Sequence, residues 1–235
     1  MIKFSNITVS YDDKKIFDNF DGKFSFNNLN VLIGKNGIGK STLLDVISGL
    51  KKADSGTLVG IPKPQKIMYM FQTTPFNTNI SVQQLLYMYN SFSKVSSFKV
   101  YDINIKEFYE ENIVPLLDIE LGNLSGGETK LIFTYASAMV LKSLYLFDEP
   151  LSGVDVENQI KIVNLLESLG QKVPVITTSH ELDPFKNTNS TLKYISPKKF
   201  LFSGNYNQLI KKYVSTSKEG FSTLISLTTY PISDL

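Results

Sequence analysis

The sequence predicts an α/β fold: a parallel sheet with crossover helices, an N-terminal antiparallel β subdomain before it and an α-helical subdomain inserted into it. Three observations predict this. Gly34-Lys35-Asn36-Gly37-Ile38-Gly39-Lys40-Ser41 fills the pattern G-x-x-x-x-G-K-[ST] between an apolar run, Leu29 to Ile33, and a helix-like stretch, Thr42-Leu43-Leu44-Asp45-Val46-Ile47. Residues 126 to 212 alternate helical and strand patterns, as the crossovers of a parallel sheet require. Residues 73 to about 125 break that alternation with helical patterns alone. A strand, a glycine-rich loop and a helix in that order turn backbone N–H groups toward a bound phosphate, so the core is of the phosphate-loop NTPase kind.

In chain order, residues 1 to 33 carry short apolar runs (Ile2-Lys3-Phe4, Ile7-Thr8-Val9, Lys23-Phe24-Ser25-Phe26, Val31-Leu32-Ile33) punctuated by Asp12-Asp13 and Asp21-Gly22, and read as a small antiparallel sheet leading into the phosphate-loop strand. The loop glycines avoid side chains that would block a phosphate and supply positive φ. Lys40 reaches the terminal phosphates as a point charge, and the Ser41 hydroxyl suits Mg²⁺. Ser55-Gly56-Thr57 reads as a turn into a further strand pair, and Ile67 to Phe71 as a buried strand ending at Gln72. Ser81 caps a helix from Val82 to Tyr89, residues 90 to 99 read as a polar loop, and a second helix runs through Ile105, Phe108, Tyr109 and Ile113.

Composition bounds the function. Among 235 residues, 42% are hydrophobic and 20% charged, the net charge is +2, and there are no cysteines. So small a charge gives no argument for nucleic acid or an anionic membrane surface, so no nucleic-acid partner is expected, and the cysteine count excludes disulfides and cysteine-ligated metals. Met1 to Asn6 lacks the apolar core of a signal peptide. The longest apolar-rich run, Leu131 to Leu141, is too short to span a bilayer and reads as a buried helix.

Several further groups carry chemistry. Leu144 to Phe147 is an apolar strand that ends in Asp148-Glu149, at the carboxyl end where parallel sheets bind ligands. Asp148 suits Mg²⁺, directly or through water, and Glu149 suits the activation of a water. Leu124-Ser125-Gly126-Gly127-Glu128 precedes the apolar helix. Ser125 with Glu128 is a capping-box pair, while two glycines in a first turn weaken a helix and make sense where an anion lies against the backbone. His180, the single histidine, ends the strand Val173 to Ser179. Gln72 is placed to touch metal or water on one side and the helical insertion on the other.

These elements together resemble the ATP-binding subunit of ABC transporters. The resemblance covers residues 1 to about 212, in the family's order: Walker A at Gly34–Thr42, the Q-loop at Gln72, the signature at Leu124–Glu128, Walker B at Leu144–Asp148 with the catalytic Glu149, the D-loop at Leu151-Ser152-Gly153-Val154-Asp155 and the switch histidine at His180. Tyr11 resembles the aromatic that stacks on adenine. The resemblance implies one ABC ATP-binding domain over 1–235, with residues 1–72 and 126–212 as nucleotide-binding core and β subdomain, 73–125 as the helical subdomain including the signature loop, and 213–235 as a C-terminal tail. It implies ATP and Mg²⁺ as ligands. Lys40, Glu149, His180 and Gln72 would be the catalytic groups, and Ser41, Gln72 and Asp148 would hold the metal. It also implies a head-to-tail dimer with a second copy or a homologous ATPase subunit, in which Ser125, Gly126, Gly127 and Glu128 bind the partner's nucleotide, Ser125 and Gly127 at its γ-phosphate, and Asp155 bridges the two sites. A separate transmembrane permease would dock beside Gln72, with this chain cytoplasmic and peripheral on the inner face of the membrane.

Two departures stand out. Glu128 replaces the usual signature glutamine, a carboxylate that suits the site only if it turns to its own helix amides. The arginines usual after the signature are missing from Lys130-Leu131-Ile132-Phe133, which implies a weaker network there. The compact ending Phe200 to Leu209 resembles export-type subunits, so the functional expectation is an ATPase driving export of a drug, peptide or lipid-like substrate. The alternative is a soluble ABC ATPase of cluster or complex assembly.

Overall fold

The computed structural model describes residues 1–12, 14–73, 76–92 and 103–213, with side chains from residue 106 onward in the last stretch. Two sheets form the frame. β1 (Ile2–Tyr11), β2 (Lys14–Phe24) and β4 (Ser55–Val59) make an antiparallel sheet in the order β2-β1-β4. The second sheet holds β3 (Asn30–Ile33), β5 (Ile67–Met70), β6 (Leu144–Phe147), β7 (Val175–Ser179), β8 (Thr191–Ile195) and β9 (Phe200–Gly204), in the order β5-β6-β7-β3-β8-β9. Its strands are parallel except β9, which returns antiparallel on β8.

The sheet order brings the functional ends together. β3 lies between β7 and β8, and β7 also pairs with β6. The carboxyl ends of β3, β6 and β7, which lead into the phosphate loop, Asp148-Glu149 and His180, are therefore neighbours. These three strands are buried at every residue, as strands covered on both faces must be. Alternate residues feed two cores. Val31, Tyr145, Phe147 and Val175 face one core, with α4 (Gly126–Met139) and α5 (Val156–Gly170). Leu32, Leu144, Leu146 and Ile176 face the other, with α1 (Lys40–Ser48) and the N-terminal sheet. Phe4, Phe20, Phe24 and Phe200 meet edge to face, with centroids 5.2 to 6.0 Å apart, and tie the two sheets together.

α2 (Val82–Ser91) and α3 (Ile103–Asn112) stand between β5 and α4 in the chain, and α2 packs on α4. Ser81 accepts from the Gln84 amide while the Gln84 side chain accepts from the Ser81 amide, a complete capping box. α4 is buried over most of its length, from Leu131 to Ala138. α6 (Tyr206–Tyr213) closes the description, with Leu209 buried against β8 and β9. Among the described residues no helix is long and apolar enough to cross a membrane.

Three local expectations are corrected. Asp21-Gly22 is no turn: β2 runs through it, and the irregularity falls instead at Asn6 and Asn19, both at φ 52° beside shifts in the β1–β2 register. Ser55-Gly56-Thr57 begins the single strand β4, which among the described residues pairs with β1 alone, rather than turning between two strands. The strand Ile67 to Phe71 is buried only at Met70, and Phe71 is exposed, because β5 is the sheet edge. From residue 93 on, the stretch expected as a polar loop lies outside the described residues, as does the tail from 214.

Candidate active site

The phosphate loop is shaped by glycine and closed by lysine. Gly39 sits at φ 107°, and a Cβ there would stand 2.7 Å from Ile16 Cγ2 and 2.9 Å from a Phe17 ring carbon, so both backbone and space demand glycine. No side chain caps α1, which leaves its first-turn amides for an anion. Lys40 Nζ donates to the carbonyls of Gly34 (2.9 Å) and Lys35 (3.3 Å) and pairs with Glu149 Oε1 at 3.1 Å. Both side chains of that pair are 6% exposed. The other Glu149 oxygen, Oε2, lies 2.7 Å from His180 Nδ1. Lysine, carboxylate and imidazole thus form one line at the ends of three adjacent elements.

A cavity of about 390 Å³ opens on this line. Nine predicted residues border it: Asn36, Gly37, Gly39, Lys40, Ser41, Thr42, Gln72, Glu149 and His180. Ser152 also borders it and was not among the predicted contacts. Gly34 contributes its carbonyl to Lys40, and Ile38 packs into the core on the α1 side. Lys35 departs from expectation. Its side chain is buried, its Nζ has no hydrogen-bond partner among the described residues, and burial pushes its ammonium below the ordinary lysine range. Tyr11 is 42% exposed, does not border the cavity, and carries Lys51 Nζ 4.5 Å over its ring.

The Asp148 carboxylate and the Glu149 backbone are held by a residue that sequence reasoning missed. Thr178 Oγ1 donates to Asp148 Oδ1 (2.6 Å) and accepts from the Glu149 amide (2.7 Å). That amide belongs to a residue at φ 49°, a left-handed backbone that costs a non-glycine residue about 1–2 kcal/mol. The available signal was Thr177-Thr178-Ser179, three polar residues in a strand otherwise built to be buried.

The residues fit a hard cation. Ser41, Gln72 and Asp148 are oxygen donors of the type Mg²⁺ takes. Asp45, on α1, is bonded by the Tyr69 hydroxyl at 3.1 Å. Burial raises its carboxyl above the usual range, and Asp148 adds to the rise against the lowering by Tyr69. Among the described residues no three acidic or imidazole groups form a metal cage.

The signature lies apart from this cavity. Ser125 and Glu128 border a second concavity of about 290 Å³ with Glu157, Asn158 and Lys161. The Glu128 carboxylate accepts from the Ser125 amide at 2.8 Å, and Ser125 Oγ accepts from the Glu128 amide at 3.1 Å. Glutamate at this position is thus turned to its own helix, as the capping box requires. The two glycines differ. A Cβ on Gly126 would meet nothing nearer than the Gly153 carbonyl at 4.0 Å, whereas one on Gly127 would collide with Asp155 Oδ2 and lie 2.9 Å from Asn158 Nδ2. Asp155 caps α5 by accepting from the Asn158 amide (3.0 Å) and side chain (2.8 Å), and these bonds hold its carboxyl below the usual range. The need for glycine at 127 therefore arises within one chain. Alanine at 127 displaces Asp155 from its place at the α5 cap, while alanine at 126 gains helix propensity without a clash. Thermal unfolding is expected to rank Gly127→Ala below Gly126→Ala, and the reverse order would reject the intrachain account.

Comparison with known proteins is consistent with this geometry. A family model described as ABC transporter matches residues 17–152. The chain is 32% identical over 184 residues to the zinc import ATP-binding protein ZnuC of Vibrio parahaemolyticus, spanning 77% of this chain and 68% of that one. It is 33% identical over 190 residues to the zinc import ATP-binding protein ZnuC of Wigglesworthia glossinidia brevipalpis, 77% of each. A crystal structure of an ATP-binding cassette of an ABC transporter, in its ADP conformation, shares the fold with a TM-score of 0.75 at 24% identity over 96% of this chain and 98% of that one. The relatives overturn the expected export of a drug, peptide or lipid-like substrate, since those proteins are named for import, and they lend nothing to the alternative of soluble complex assembly. The compact ending was a poor guide for a physical reason. β9 pairs with β8 and Leu209 of α6 is buried against them, so the segment completes the core edge and carries no record of direction.

Proposed function

Because the chain belongs to the ABC transporter family, whose ATP-binding subunits bind ATP with Mg²⁺ and hydrolyse it, we propose that its ATPase activity drives import of a divalent metal ion, zinc above others, through a separate membrane permease. The observation that carries this reading is the likeness to zinc import ATP-binding proteins across 77% of the chain. The chain would sit peripherally on the cytoplasmic face, with residues 73–125 as the subdomain that meets the permease and the rest, through 212, as the nucleotide-binding core.

The proposed roles follow from the geometry. The terminal phosphates of ATP replace Glu149 as the partner of Lys40, and the open amides at the start of α1 take the remaining phosphate charge. Ser41 and Asp148, with Gln72 beside them, would hold magnesium, which would supply neutralisation of the phosphate oxygens. Glu149, released from Lys40, orients and deprotonates the attacking water. His180 positions Glu149 through Nδ1 and faces the γ-phosphate. Ser125 and Gly126, open in the single chain, serve the nucleotide of a second ATPase subunit, so a two-fold dimer holds two composite sites.

Uptake of radioactive zinc by cells with and without this chain tests the proposal. Uptake should fall on deletion and return with the wild-type gene but not with Lys40→Ala. Unchanged zinc entry, with another divalent ion affected or none, would remove zinc as cargo.

A further inference from the structure

The first turns of α4 touch both nucleotide sites that a dimer would contain, and one side chain makes the connection. Lys130 is one turn beyond the signature serine, with the Thr129 amide bonded to the Ser125 carbonyl at 2.9 Å. Its Nζ crosses to the loop after β5 and donates to the backbone carbonyl of Gln72, 58 positions earlier in the chain. One turn further along α4, Thr134 Oγ1 donates to the Lys130 carbonyl at 2.7 Å and lies 3.6 Å from the sulfur of Met70. The same face of α4 is thus docked on β5 at two levels, at Met70 inside the sheet and at Gln72 where the chain leaves it. The Met70 carbonyl in turn accepts from the Asp148 amide at 2.9 Å.

Charge favours the contact. Burial pushes the Lys130 ammonium below the ordinary lysine range, and Asp148 and Glu149 push it back up, so the field of both site carboxylates reaches this cation. A bond from a charged donor to a carbonyl is among the stronger hydrogen bonds. It engages the backbone of Gln72, so it aims the residue without occupying the side-chain amide that borders the cavity.

We propose that Lys130 is a positioning residue for hydrolysis: it ties the pose of Gln72, in this chain's own cavity, to the pose of the helix end that serves the partner's nucleotide. The inference rests on the ATPase reading above. Because α4 is buried from Leu131 to Ala138, it moves as a rigid body, and a shift of its first turn carries Gln72 with it. Two sites and one shared rigid element are what a coupling between them requires. Where the arginines usual after the signature are missing, this lysine supplies a link.

Lys130→Met and Lys130→Arg in the full chain test it by two independent readouts. Hydrogen exchange of the segment 71–73 should speed up about tenfold in the methionine variant, with α1 unchanged. Steady-state hydrolysis should show kcat lower by about tenfold with KM within about threefold, and a Hill coefficient for ATP that falls toward one. Arginine should restore both. Unaltered exchange at 71–73, wild-type kcat and cooperativity in the methionine variant, or a loss that follows lowered Tm and is not rescued by arginine would each overturn the proposal. Absence of turnover in the wild-type protein itself would strike the ATPase reading, while the exchange measurement still decides the tether.

Discussion

Glu149→Gln is expected to bind MgATP, hydrolyse it about a thousandfold more slowly than wild type, and accumulate as a nucleotide-held dimer. The carboxylate is the group between Lys40 and His180, and the amide that replaces it cannot take a proton from water. The substitution also removes the charge of a buried ion pair. Losing one partner of such a pair costs about 3–5 kcal/mol. The glutamine carbonyl can still accept from Lys40, so a loss of about 2 kcal/mol in the empty protein is expected, or roughly 4–8 °C in Tm for a chain of this size. ATP supplies Lys40 with phosphate oxygens in either protein, so the nucleotide should raise Tm more in the variant than in wild type. Hydrolysis assays, gel filtration with MgATP and thermal scans with and without nucleotide read the three effects. Wild-type turnover would remove Glu149 from catalysis, and equal nucleotide shifts in Tm would remove the ion pair from the energetics.

Thr178→Val is expected to be nearly as damaging, although Thr178 does not border the cavity. Valine keeps the shape and removes the hydroxyl. The Glu149 amide then loses its acceptor and Asp148 Oδ1 loses its donor, both within a buried turn. Each orphaned group costs about 1–3 kcal/mol, and the Glu149 backbone at φ 49° loses the bond that holds it there. A fall in kcat of about a hundredfold and a Mg²⁺ requirement shifted to higher concentration should follow, with serine at 178 restoring both. Thr177 is the control. Among the described residues its hydroxyl reaches only the Thr178 carbonyl at 3.4 Å, so Thr177→Val should leave kcat within about twofold. Equal effects at 177 and 178 would show that strand polarity matters and the specific hydroxyl does not.

What was legible in the sequence is what lies contiguous in it. The phosphate loop, the Asp148-Glu149 strand end, the Ser125–Glu128 cap and His180 each declare their chemistry within a few residues, and the parallel sheet follows from alternating patterns. What was not legible depends on register and on contacts between distant segments. The turn expected at Asp21-Gly22 was a reading of composition, but left-handed asparagines absorbed the irregularity elsewhere and let β2 run on. The reason for Gly127 is Asp155, 28 residues away in the chain. Thr178 looked like an ordinary strand threonine until β6 was laid beside β7, and Lys130 acquired a role only when α4 was laid beside β5. The direction of transport was read from an ending that belongs to the core, while contacts with cargo would lie on another protein.

The arrangement around Glu149 also bears on what happens between turnovers. In the empty chain both carboxylate oxygens are engaged, one by Lys40 and one by His180. Under the proposed mechanism a base so occupied is silent toward solvent until an arriving triphosphate frees it by drawing Lys40 away. When the cleaved phosphate departs, Lys40 is again without that partner and can return to Glu149. Arming and reset would then be the same exchange run in opposite directions, and the catalyst would be active only while its fuel is in place.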